Sequence, residues 1–450
     1  MNSSIFALAP LALFFGSFSP ARAQTIWSVT PAGGADILQN TIDSATDGDW
    51  ILIVPGTYAS ALLAGKGVHL IGLGASPSEV VLSAPPQQPG GAFGPPPVSP
   101  LEVRDLSSNS RCWIANVTLE GGSIGSPALR VSDCAGEVLV DEVSAQPHNG
   151  GVGVLIEDST LVSLNRVEAV SLAFPSVAHT GSAGAWISDS NVFVRESLFV
   201  AQQGFGPWSG PDARGASGID VDGSSRIHLE NTSAIASTYT WTFPLSGFQA
   251  AGLDLDGASE AWLAGGPSSE LLGADGFLGN DGAFSGGGPG LRAASGSAVR
   301  LGAMLVATGG LDGGVGPMAD ELVLEPGAVA QLFGETLPRI GFGNSIVDLG
   351  ESFDLQLSGE PFGVILPAVS TGNTGPLSLP LGGAWAWLDL NPVELLVLPA
   401  VGLSGSGDAA QGLKVPNSPS AAWTTLWFQG FALNSTSLTS STPAALLIQG

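Results

Sequence analysis

The most regularly spaced carboxylates in the chain are Asp220, Asp222, Asp254 and Asp256. They form two Asp-x-Asp pairs 34 residues apart, in Gly-Ile-Asp-Val-Asp-Gly and Gly-Leu-Asp-Leu-Asp-Gly. In an extended segment, period-2 alternation turns Ile219 and Val221 to one side and Asp220 and Asp222 to the other. If the two segments lie side by side, about 4.8 Å apart, the four acids make a square of like charge. Three outcomes follow. A cation can neutralise the square, and calcium with ligands at about 2.4 Å fits between Asp220 and Asp254. One carboxyl can instead be driven to a higher pKa and become a usable acid, at a separation of roughly 5 to 7 Å that suits glycoside hydrolysis. Or the acids are solvated and discourage lateral sheet association. Arg292 and Trp186 flank the square in the same column. Asp222 and Asp256 with Trp186, Trp208 and Trp241 could bind a sugar, because flat apolar rings suit the C–H faces of pyranoses; the alternative is that these rings pack long loops onto a scaffold. Asp220, Asp254, Arg292 and His179 are the catalytic candidates, His179 as an acid or base near Trp186. The sequence has no zinc-ligand spacing, no phosphate loop and no defensible Ser/His/Asp set.

These residues need a scaffold that repeats. Copies of the Gly218–Leu229 stretch open at Pro100, Ala128, Gly153, Gly184, Gly252 and Gly290, and spacings along the series are 28, 25, 31, 34, 34 and 38. Each alternates apolar and polar residues, breaks at a small polar turn and alternates again, as at Ile227/Leu229, Val162/Leu164 and Val299/Leu301. A unit of two or three short strands can bury its apolar face only by stacking on its neighbours, which makes a parallel β-solenoid of roughly eight to ten rungs. Outward positions then form columns. One reads Arg130, Leu155, Trp186, Asp220, Asp254, Arg292; the next reads Ser132, Glu157, Ser188, Asp222, Asp256, Ala294. The extra length precedes each opening residue, as loops carrying His179, Trp208, Tyr239, Trp241 and Phe248.

Composition agrees with a large β core: 450 residues, 44% hydrophobic, 64 glycines and only 12% charged. The formal charge of −26 excludes a nucleic-acid partner, since phosphate binding needs a Lys/Arg surface. Residues 1–23 read as a secretory signal peptide, with an apolar run from Ile5 to Phe18 and Ala21-Arg22-Ala23 as a small-x-small cleavage site. No later segment is apolar enough for a transmembrane anchor. Cys112 and Cys134, the only thiols, lie 22 residues apart, about one rung, so a disulfide between neighbouring coils is expected in an oxidising compartment, against the alternative of two core thiols.

Near the start, Asp36 with Gln39 forms a capping-box-like signal, and Leu38, Ile42 and Ala45 follow at helical spacing, so Asp36 to Ala45 is expected to be a helix covering the first rung. Gln39-Asn40-Thr41-Ile42-Asp43-Ser44-Ala45 and Gly48-Asp49-Trp50-Ile51-Leu52-Ile53-Val54-Pro55-Gly56-Thr57-Tyr58 resemble the N-terminal cap and first rung of right-handed parallel β-helix proteins of the pectate-lyase-like superfamily. The resemblance, extended over residues 27 to 333, implies a right-handed parallel β-helix, a single-stranded solenoid. The superfamily includes lyases, hydrolases, epimerases and non-catalytic surface proteins. Its lyases use carboxylates for calcium and a basic residue as proton acceptor, and only Arg292 and Arg130 lie on this face. The Asn-Thr-Asp, Asp-Asp, Gly-His-Gly and Arg-Ile-Lys signatures of the related polygalacturonases are missing, Arg226-Ile227-His228 only half resembling the last.

From Ile346, short alternating strands separated by Gly/Pro/Asn turns suggest a small antiparallel β-sandwich. Val415-Pro416-Asn417-Ser418-Pro419 and the closing Ala-Leu-Leu-Ile-Gln-Gly resemble modules that end secreted bacterial proteins. The expected organisation is signal peptide 1–23, β-helix 24–333 and β-sandwich 345–450, all-β. The expected role is a monomeric bacterial protein, secreted or on the cell surface, that binds extracellular or cell-surface polysaccharide along the Asp/Trp face. The alternatives are a polysaccharide lyase or glycoside hydrolase on that face, or a structural surface protein. Calcium is the only cofactor in view.

Overall fold

The computed structural model describes residues 24–449 apart from 35, 85–97, 122–124, 148–150, 171–181, 202–215, 238–249, 267–268, 276–285, 303–304, 312–317, 333–336, 344, 372, 379–384, 389–394, 423, 434–437 and 442. The signal-peptide reading and the candidates His179, Trp208 and Trp241 therefore lie outside the described residues. The chain divides into two compact units, Gln24–Leu332 and one from Phe333 to Gly450.

The first unit is built on two long parallel sheets of 18 and nine strands. All seven expected copies are strands of the smaller sheet: Leu101–Arg104, Leu129–Ser132, Val154–Glu157, Ala185–Ser188, Ile219–Asp222, Leu253–Leu255 and Leu291–Ala293. Ala61–Ala64 and Leu322–Leu324 add one strand at either end. Between successive strands of this sheet the chain passes through the larger one. Ile219–Asp222 leads to Arg226–Glu230 and Ser233–Ile235, which pair with the equivalent strands before and after. This repeat-like, all-β architecture is compatible with a stacked solenoid.

Stacking follows from the side chains. Ile219, Val221, Ile227 and Leu229 are at most 2% exposed and belong to one continuous apolar core with their counterparts in other repeats. Burial on this scale contributes about 25 cal/mol per Å² of apolar surface. The opening glycine has a steric reason at Gly218: a Cβ there would lie 2.5 Å from Ile235 N and 2.8 Å from Gly252 O, so a side chain at this position would hold the adjacent repeats apart. The polar turn after each strand holds a residue at positive φ, Asp133, Asp158 and Asp189 in early repeats and Gly223 and Gly257 later, where Asp, Asn and Gly are least strained. Behind these turns runs a buried serine ladder. Ser159 N donates to Ser190 Oγ at 3.0 Å and Ser190 N to Ser225 Oγ at 3.2 Å, while each hydroxyl donates back to its own turn.

That ladder overturns the expected disulfide. Cys112 and Cys134 are buried and unbonded. Cys134 occupies a serine place in the ladder: its amide donates to Ser159 Oγ at 3.3 Å and its thiol donates to Ser132 O at 3.3 Å. Cys112 belongs to the apolar core, and its partner one repeat on is Val138, not Cys134. Burial raises the pKa of both thiols.

Among the described residues the one α-helix is Ile37–Ser44, which buries Leu38 and Ile42 against the core and so fits a cap. The capping box does not form, since Asp36 makes no side-chain cap bond. Gln39 instead clips the helix to the edge strand Ala61–Ala64: its amide nitrogen donates to Leu62 O at 3.1 Å and its oxygen accepts from Leu62 N at 2.8 Å. Lys66 Nζ donates to the carbonyls of Ile42, Asp43 and Ala45 at 2.9–3.0 Å, closing the opposite helix end. Among the described residues no helix is long and apolar enough to cross a membrane.

The second unit contains sheets of three, seven and two strands. Its pairings are antiparallel except that Ile346–Asp348 runs parallel to Ala444–Gln449. Phe353, Leu355, Leu357, Leu426, Phe428, Leu446 and Ile448 alternate into its own core, with Phe342, Phe353 and Phe428 meeting edge to face at 5.2–6.0 Å.

Candidate functional site

The outward column on the nine-stranded sheet is continuous in register. Arg130 pairs with Leu155, Leu155 with Trp186, Trp186 with Asp220, Asp220 with Asp254 and Asp254 with Arg292. Asp220 and Asp254 therefore do meet across one repeat, with Asp222 and Asp256 in the next column. The two aspartates fare differently. Arg292 Nε donates to Asp254 Oδ1 at 2.7 Å and its Nη1 to Glu325 Oε1 at 2.8 Å, with Nη2 3.8 Å from Asp256 Oδ2. Burial works against the guanidinium charge, but Asp254 and Glu325 outweigh it and raise its pKa. Among the described residues Asp220 makes no such pair. Half-buried, its carboxyl is pushed up to about 7, first by loss of solvent and then by the neighbouring charges of Asp254 and Asp222, with Arg292 pulling the other way.

Trp186 is the exposed ring of the face at 42%. Its indole N–H donates to Asp222 Oδ2 at 3.1 Å, which fixes the ring beside Asp220. Asp222 Oδ1 is enclosed and has no hydrogen-bond partner among the described residues. At the other end of the column Arg130 Nη2 donates to Glu157 Oε2 at 3.0 Å, so both column arginines are already held by carboxylates.

Asp254, one of the two carboxylates expected to share calcium, is already engaged by Arg292 through Oδ1, and among the described residues no group of three or more His, Cys, Asp or Glu side chains could hold a metal ion. The cation that neutralises Asp254 is the guanidinium of Arg292.

Two features escaped the sequence reading. Glu325 is the continuation of the second column past Ala294, visible once the repeat is run one rung further, because Arg292 pairs with Val323. The other is a stripe on the outer side of the larger sheet. Phe193 pairs with His228, His228 with Trp262 and Trp262 with Arg300. Phe193, His228 and Trp262 are at most 1% exposed although they point away from the core that Ile227 and Leu229 enter. His228 stacks on Trp262 at 5.6 Å and Arg300 lies 5.4 Å over the same ring. Burial lowers the His228 pKa to about 3, so it is neutral at physiological pH and is no acid. Its motif, Arg226-Ile227-His228, supplies packing, with Arg226 directed at Glu260, 3.7 Å away.

No family model matches the chain, and no curated protein matches it significantly.

Proposed function

We propose that this chain is a right-handed parallel β-helix followed by a β-sandwich module, and that it acts outside the cell, binding a polysaccharide along the outer face of its nine-stranded sheet. The observation that carries the reading is the exposed indole of Trp186 on the outer face of a parallel sheet, pinned by its hydrogen bond to Asp222 and in register with the Asp220 carboxyl. A pyranose stacked on the ring would present its hydroxyls to the Asp220 and Asp222 columns, at a rung spacing of about 4.8 Å. The secretory signal peptide read in residues 1–23 supports the location.

The test is a binding survey of soluble polysaccharides and their oligomers with wild type and Trp186→Ala. Affinity for at least one glycan, weakened about tenfold or more in the variant at unchanged melting temperature, supports the reading. A wild type that retains no glycan contradicts it and favours a structural surface role.

A second reading, a glycoside hydrolase or polysaccharide lyase, is favoured by one observation, the Asp220 carboxyl that holds a proton up to about pH 7 beside the arginine-bound Asp254. Release of reducing ends or unsaturated products, abolished in Asp220→Asn, would establish it.

A further inference from the structure

The charges on this face restrict which glycan it can hold. Three arginines lie on the nine strands, and each is already engaged: Arg104 with Glu102 and Asp105 at 3.9 and 3.7 Å, Arg130 with Glu157 at 3.0 Å, and Arg292 with Asp254 and Glu325 at 2.7 and 2.8 Å. The carboxylates are in excess. Among the described residues Glu102, Glu157 and Asp254 have arginine partners, whereas Asp220 has none and Asp222 has only the indole N–H of Trp186. Both unbalanced groups therefore sit beside the exposed ring, at the centre of the column. A uronate or sulfated chain laid here would bring its anions against these two acids with no free guanidinium among the described residues of these strands to receive them, which is unfavourable beside partly buried carboxyls. An ammonium group meets the opposite situation. It neutralises the unpaired carboxyls, and the adjacent indole face also attracts cations.

Resting on the glycan reading above, we propose that the ligand is a polymer of amino sugars, 2-amino-2-deoxyhexoses with free protonated amines, with one pyranose ring on Trp186 and its ammonium group against Asp220 and Asp222. Asp220 lies one rung, about 4.8 Å, from the Trp186 position, so an amine on a ring stacked at Trp186 is within hydrogen-bonding reach of its carboxyl. The acidity of the Asp220 carboxyl supports this. It is raised because like charges surround it, and a bound cation relieves that repulsion.

The experiment compares three probes by calorimetry at pH 7, where the Asp220 carboxyl begins to ionise, and at low salt: a β-1,4-linked glucosamine hexamer, its fully N-acetylated counterpart and a galacturonate hexamer. We expect the glucosamine hexamer to bind at least about tenfold more tightly than the acetylated one, the galacturonate hexamer not to bind, and added salt to weaken only the first. Asp220→Asn should reduce the preference for the free amine at the same pH while keeping the acetylated affinity, and Trp186→Ala should weaken both. Equal affinity for the two glucosamine oligomers, or preference for the uronate, overturns the amino-sugar inference and leaves the glycan reading standing. No binding of any probe, together with none in the wider survey, overturns both.

Discussion

Asp220 is the residue at which the chemistry of the face can be measured. Its folded pKa of about 7 lies above the ordinary 3.8, so the folded state holds this proton more tightly than the unfolded chain. Stability is then lost as pH rises from about 4 to about 7 and stays level beyond. Asparagine keeps the shape and removes the charge, so Asp220→Asn should match wild type near pH 4 and exceed it at pH 8 by something on the order of 1–3 kcal/mol. Chemical denaturation at the two pH values checks this; a variant less stable than wild type at pH 8 would show that the ionised carboxylate has a stabilising partner. The neighbouring ion pair yields a second expectation. Because Asp254 already has the Arg292 guanidinium as its cation, the melting temperature should not move between chelator and millimolar calcium. Arg292→Ala strips that cation from Asp254, Asp256 and Glu325, and should cost about 1–3 kcal/mol through the charges left facing one another.

At the scale of the strand, the face depends on how closely repeats approach. Gly218→Ala places a methyl within 2.5–2.8 Å of three backbone atoms, Ile235 N, Ala234 C and Gly252 O, none of which can rotate away. A loss of about 1–3 kcal/mol is expected, and a variant as stable as wild type would mean the repeats can spread. Val221→Asp puts a carboxylate into the apolar stack at a position 0% exposed, and should leave the protein insoluble or unfolded, whereas a soluble folded product would refute the inward assignment. Elements like these were legible in sequence because period-2 alternation and the recurring glycine report the same geometry, and the Trp186–Asp220–Asp254–Arg292 register was readable from them alone. What was not legible depended on hydrogen bonds across repeats. Nothing local marks Cys134 as a substitute for serine in a ladder, or Gln39 as a clip to Leu62 in place of a cap. The outer stripe of Phe193, His228 and Trp262 was hidden for another reason: alternation assigns such positions to solvent, and only three-dimensional packing shows them buried.

Over the whole first unit, every strand of the nine-stranded sheet hydrogen-bonds only to the strands before and after it, and the last, Leu322–Leu324, has a neighbour on one side alone. Around it Val306, Leu324 and Val329 are 41–61% exposed, whereas the opposite end is fastened by the Ile37–Ser44 helix. A molecule joined this way behaves under tension like a zip rather than a knot. Drawn by its two ends, the unit should surrender coils singly from the unfastened side, since each loaded edge shares its bonds with only one layer. Repeats 31–38 residues apart should then lengthen the tether in steps of roughly 110–130 Å, and the trace would spell out the uneven loop lengths as a mechanical fingerprint.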